Sequence, residues 1–265
     1  MLFLLNDKVS YVNPSRNFSL AYIILDSLFL LFFAFYLLYK RKRMTFLFSL
    51  AGGILYFLVD FLIFYLLTGS REIRIDGEVC DAFKTGAVLF WMSMSYGFLD
   101  FAFIWLWLSR DKNALEYSLL IVIWWICCPL MAQFVNAIFP SVPKIYTTRS
   151  TSKYHGVMGL IMVVGYFILI LMNIHNKDDK SKQIPIIRLF IIGFLSQFLW
   201  EFLLFVFGVR GRSEENDFVD VLNTVLRDSL VETNLGMPYF YFIHKAVSSR
   251  FTEELKDARK LNVEA

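Results

Sequence analysis

The chain alternates long apolar blocks with short polar stretches. A helix needs about 20 apolar residues to cross a hydrocarbon core roughly 30 Å thick, and seven blocks are read as such spans. They are Ser19–Tyr39, Met44–Gly69, Gly86–Leu108, Ala114–Phe139, His155–Ile174, Ile184–Val209 and Leu226–Lys245. The last one differs from the rest. Its purely apolar part, Leu235–Ile243, is too short to cross alone, so Glu232 and Asn234 enter at membrane depth. Gly236 and Pro238 predict a kink just beyond them. Upstream, Phe218, Val221, Leu222 and Val225 recur at helical spacing and predict a surface helix feeding this span. Ser70–Thr85 and Pro140–Tyr154 read as loops, and Phe251–Ala265 as a charged tail, helical at most. The fold class expected is all-α: one polytopic membrane domain over 1–265 with seven transmembrane helices.

An internal repeat orders these spans. The second and sixth align without gaps at an offset of 141: Gly52 falls on Gly193, Asp60-Phe61-Leu62 on Glu201-Phe202-Leu203, and Arg71 on Arg212. The third and seventh continue at an offset of 139, with Ser93 on Glu232, Ser95 on Asn234 and Gly97 on Gly236. Leucine and phenylalanine matches count for little in this composition; the glycine, the acid and the arginine beyond it carry the argument. Two parallel three-helix repeats (19–108 and 155–246) then flank a linker helix (114–139), with 247–265 as a tail.

This layout resembles the SWEET-type sugar transporters, vitamin transporters of the PnuC kind, and microbial opsins. The resemblance is one of architecture and covers most of the chain. The proline-glutamine repeat of the SWEET relatives is missing, and the seventh span has no central lysine for a retinal Schiff base; Lys245 stands at its end.

Composition narrows the class. The 265 residues are 57% hydrophobic with 18% aromatics, above the soluble norm. A net charge of +3 leaves no footprint for nucleic acid. Cys127 and Cys128 are adjacent and Cys80 lies in a loop, so no disulfide framework is implied. The histidines His155, His175 and His244 form no HxxxH pair, and no metal or other cofactor is expected. Lys40–Arg43, the Ser109–Asn113 link, the Lys177–Lys182 connector and the tail alternate onto one side. By lysine and arginine bias that side is cytoplasmic, which puts the N-terminus outside and the C-terminus inside.

The candidate chemistry is carboxylate chemistry near the outer surface. Asp60, sixteen residues beyond Met44, lies roughly 24 Å from the cytoplasmic edge. Glu201 matches its depth in the sixth span, and Glu232 enters from the outer side. The candidate substrate-binding set is Asp60, Ser93, Gln197, Glu201, Arg212, Glu232 and Asn234. Asp26 and Asp100 are weaker candidates, each able to bond a neighbouring helix. His155, at the outer start of the fifth span, could join the acids as a proton relay or lie on the surface. One reading is a transporter or binding protein for a small polar or cationic solute, with a pocket between the repeats. A second is an intramembrane enzyme on a lipid or isoprenoid, with Glu201 and Glu232 as catalytic acid and base. A third is a receptor or assembly partner. The acids could instead be structural clips: Asp60 with Arg71, and Glu201 with Arg210 or Arg212. The partners implied are the lipid bilayer and a small-molecule solute or lipid, and a homo-oligomer stays open.

Overall fold

The computed structural model describes residues 15–149, 154–210 and 218–261. Its helices are α1 (Leu20–Tyr39), α2 (Arg43–Phe57), α3 (Ala82–Leu108), α4 (Ala114–Ile138), α5 (His155–His175), α6 (Ile186–Val206), α7 (Phe218–Val231) and α8 (Met237–Leu261). A π-helix over Leu58–Leu67 prolongs α2 without a break. Among the described residues, six helices are long and apolar enough to cross a membrane: α1, α2 with its π extension, α3, α4, α5 and α6. Large apolar side chains such as Leu31, Phe35, Leu67, Phe134 and Leu160 stand exposed around the perimeter. Water would penalise so extensive an apolar surface and lipid would not. The helices are compatible with an integral membrane protein.

The axis of the bundle is α3, whose apolar window is 83% buried against 11% for α5. It begins at Ala82, four residues before the sequence predicts, because the Asp81 carboxylate caps it by accepting from the Lys84 N–H at 2.8 Å. Against α3 lies α2, held close by small residues. A Cβ at Gly97 would sit 2.6 Å from the Tyr56 ring and 3.0 Å from the Gly53 Cα. Backbone approach of this kind replaces the hydrophobic drive that helices lose inside lipid.

The two segments read as loops pair with Ser15–Ser19, the stretch just before α1, into a four-stranded antiparallel sheet in the order β1-β4-β2-β3. Its strands are β1 (Ser15–Ser19), β2 (Arg71–Ile75), β3 (Glu78–Val79) and β4 (Lys144–Arg149). They flank one end of the bundle, where α1, α3 and α5 begin and α2, α4 and α6 end. Asp76 (φ 50°) and Gly77 (φ 89°) form the two-residue turn between β2 and β3, and an Asp-Gly pair suits the left-handed conformations this turn needs. The helical class stands, with this sheet added at one end.

The expected seventh span is not one continuous helix. α7 ends at Val231, Glu232–Gly236 form a turn, and α8 restarts at Met237. Pro238 supplies the reason. It has no N–H for the Asn234 carbonyl, and its ring would clash there, so the helix restarts with proline in its first turn. Beyond the break, Phe240 packs on Phe48 and Phe101, and the His244 ring meets Trp105. The His244 Nε2 also lies 2.9 Å from the Ser109 hydroxyl, at the far end of α3.

The packing gives a direct test. Gly97→Leu should lower stability by about 1–3 kcal/mol, as over-packing does. Gly159→Leu should have little effect, since a Cβ there meets nothing within 4 Å. Thermal unfolding of the purified protein in detergent distinguishes the two; equal losses would refute close α2–α3 contact at Gly97.

Candidate functional site: a buried arginine–carboxylate network

Alternation along the strands directs one face of the sheet inward. Arg16 and Phe18 of β1, Arg71 and Ile73 of β2, and Ile145, Thr147 and Arg149 of β4 are all buried. Register places Arg71 opposite Arg149, and Arg16 opposite Thr147. Like charges directly opposed would repel, so this face requires acids beneath it. A further arginine arrives from α6. Gly208, at φ 71°, ends that helix in a left-handed turn, and Val209 and Arg210 donate back to the Leu204 carbonyl at 2.9 Å. Arg210 bridges to Arg16 along the backbone and is buried.

The helices supply the acids. Asp60, in the π-helical extension of α2, accepts from Arg71 at 2.7 Å and from the Tyr96 hydroxyl at 2.8 Å. The Arg149 Nη1 lies 4.0 Å from Asp60, and its Nη2 pairs with Glu232. Glu201 of α6, wholly buried, takes Arg16 on one carboxylate oxygen and Arg210 on the other. Arg210 also reaches Asp228 of α7 at 3.0 Å. Gln197, one turn before Glu201, donates to Glu201 and Glu232 at 3.4 Å each and accepts from the Thr233 hydroxyl at 3.0 Å. The Arg16 guanidinium lies over the Trp200 ring, 4.6 Å from its centre. Four guanidiniums and four carboxylates thus form one connected set that joins the N-terminal and C-terminal halves.

The electrostatics of the arginines follow from these contacts. Burial works against the charge on Arg149, but Glu232 and Asp60 outweigh it and raise its pKa. Arg210 is likewise disfavoured by burial and raised by Glu201 and Asp228. Arg71 is lowered, by burial and by the facing Arg149, with Asp60 opposing both. Arginine stays charged at any physiological pH, so the network keeps its positive half.

Of the expected residues, Asp60, Gln197, Glu201 and Glu232 converge. Glu201 pairs with Arg210 rather than Arg212, which lies outside the described residues. Ser93 is buried, and its hydroxyl has no hydrogen-bond partner among the described residues. Asn234 accepts from the Tyr166 hydroxyl at 3.0 Å while its Nδ2 has no such partner. Asp26 is held apart from the network by the indole N–H groups of Trp91 at 3.1 Å and Trp124 at 2.9 Å. Asp100 is buried with neither oxygen hydrogen-bonded among the described residues.

Arg16, Arg149 and Asp228 are network members that the sequence reading does not select. The signal for the two arginines is alternation, as in Ile145-x-Thr147-x-Arg149; for Asp228 it is the four-residue spacing to Glu232, which puts both on one helical face. The His155 Nε2 lies 3.2 Å from Asp228. His155, Asp228 and Glu232 bring ligand atoms within 4.8 Å of one another, close enough to share a cation. Arg210 and Arg149 already hold one oxygen of each carboxylate and would compete with it.

A helical protein with six helices apolar enough to cross a membrane among the described residues, capped by a small sheet and joined to it by buried ion pairs, is the class this architecture defines. No protein-family model, curated protein or solved structure matches the chain.

Burial sets the expected energetics. Asp60→Asn should cost about 3–5 kcal/mol, because it strands the Arg71 charge. Glu72→Gln breaks the half-exposed Arg74–Glu72 pair and should cost under about 1 kcal/mol. Denaturant unfolding in detergent measures both, and similar losses would contradict the assignment of Asp60 as a compensated buried charge.

Proposed function

We propose that this is an integral membrane transporter or binding protein for a small polar solute, and that the arginine–carboxylate network is its site. The observation that carries the reading is the broken helix at Glu232–Gly236. Interrupted helices in transporters free backbone and side-chain groups to meet a solute near the interface between halves. Here the interruption sets Glu232 and Thr233 directly into the charge network. Asp60 lies in a π-helical stretch, another irregularity that recurs at functional sites. Buried polar atoms without partners among the described residues, Asn234 Nδ2 and Ser93 Oγ included, are costly unless a ligand or water answers them.

Both signs of charge favour a zwitterionic or cationic solute that takes over part of an existing ion pair. In this reading α7 and α8 together make the seventh crossing, the two halves are related triplets, and the sheet lies on the extracytoplasmic side as a lid. The conformation described is the closed one, since guanidinium groups fill the space between the acids. The enzyme alternative, with Glu201 and Glu232 as acid and base, has weaker support. Arginines already occupy both carboxylates, so neither can exchange a proton with a substrate until an ion pair is broken.

Binding decides between them. Purified protein titrated with a panel of zwitterionic and cationic solutes should show saturable binding by calorimetry. Glu232→Gln should weaken that binding at least about tenfold, a loss near 1.4 kcal/mol, while the variant keeps its helical circular dichroism. Absence of binding across the panel, or unchanged affinity in a folded variant, would reject the site.

A further inference from the structure

At the end of the bundle away from the sheet lies a second polar feature that the network does not use. A cavity of about 520 Å³ opens between the α1–α2 turn and the last turn of α3. Arg41, Lys42 and Arg43 line it with Met44, Trp105 and Asp111. Lys42 pairs with Asp111. Arg41 and Arg43 are exposed, and neither pairs with a carboxylate among the described residues. Two uncompensated guanidiniums therefore border the cavity.

The dipole of α2 does not account for Arg43, because a cation at the start of a helix opposes it, although Arg41, just past the end of α1, does suit that helix's dipole. Backbone economy does not account for them either: Arg41 holds φ at 57°, a left-handed conformation in which glycine would be cheaper.

We propose that this cavity binds the headgroup of an anionic phospholipid from the leaflet opposite the sheet. The charge excess selects an anion. Position selects a lipid over a free ion: α2 and α3, which frame the cavity, are both helices that can cross the membrane, so the cavity lies where headgroups lie. Its lining is also mixed. Arg41 and Arg43 suit a phosphate, while Met44 and the Trp105 ring suit the apolar region just below it. Four basic residues in a row, Lys40 to Arg43, at the end of a spanning helix form the kind of cluster that recognises anionic lipids.

The test uses the full chain in a neutral detergent, stripped of lipid and titrated with phosphatidylglycerol, phosphatidylcholine or inorganic phosphate. Bound lipid is counted by native mass spectrometry. Phosphatidylglycerol should bind in preference to phosphatidylcholine, and millimolar phosphate should not displace it. Arg41→Gln with Arg43→Gln should weaken phosphatidylglycerol binding about thirtyfold, the effect of two basic residues near an anionic headgroup. Lys177→Gln with Lys180→Gln, on the connector between α5 and α6, should leave it unchanged. Asp111→Asn removes the carboxylate at the cavity and should tighten binding severalfold, a gain that misfolding cannot produce. Equal retention of the two lipids, full displacement by phosphate, or indifference to both the arginine pair and Asp111 would each overturn the proposal.

Discussion

Everything in this molecule turns on the compensation of buried charge. A guanidinium or carboxylate removed from water without a partner is prohibitively unfavourable, yet four guanidiniums and three carboxylates are buried where the helices meet the sheet, with Glu232 half-buried beside them. They are tolerable only together. The strands and the chain after α6 provide the arginines, and α2, α6, α7 and the turn beyond α7 provide the acids. Displacing any one of these elements would leave a bare charge on another. The same contacts that assemble the sheet on the bundle therefore hold α6 and α7 against the N-terminal half.

This arrangement also coincides with the irregular parts of the helices. Helices whose hydrogen bonds are complete move as rods, whereas α2 beyond Phe57 and the chain at Glu232–Gly236 depart from α-helical bonding. Both departures coincide with an acid of the network. Rearranging an ion pair there requires no rupture of a regular helix, only a change in a segment that is already irregular.

The two ends of the bundle handle charge in opposite ways. At the sheet end, arginines and acids balance inside a dry network. At the other end, Lys40 to Arg43 gather near Asp111, which pairs with Lys42, and among the described residues Arg41 and Arg43 pair with no carboxylate. Between the ends, the perimeter is apolar and α3 alone is nearly enclosed. Interior charge matching and surface charge excess are thus separated by the thickness of the apolar belt.

Hydropathy alone was enough to establish the long apolar helices, because lipid imposes length and composition on any segment that crosses it. The depth of Asp60, Glu201 and Glu232 could be counted along the chain for the same reason, and the kink residues near Pro238 pointed to the interruption. The sheet escaped that reading: β1, β2 and β4 are short, and their alternation is confined to the inward face. So Arg16 and Arg149, far in sequence from the acids they meet, stood out only once strand pairing had laid them over the bundle. Tertiary structure alone decided which arginine meets which carboxylate, since an ion pair between residues 185 apart, such as Arg16 and Glu201, depends on how distant elements pack and not on any local pattern.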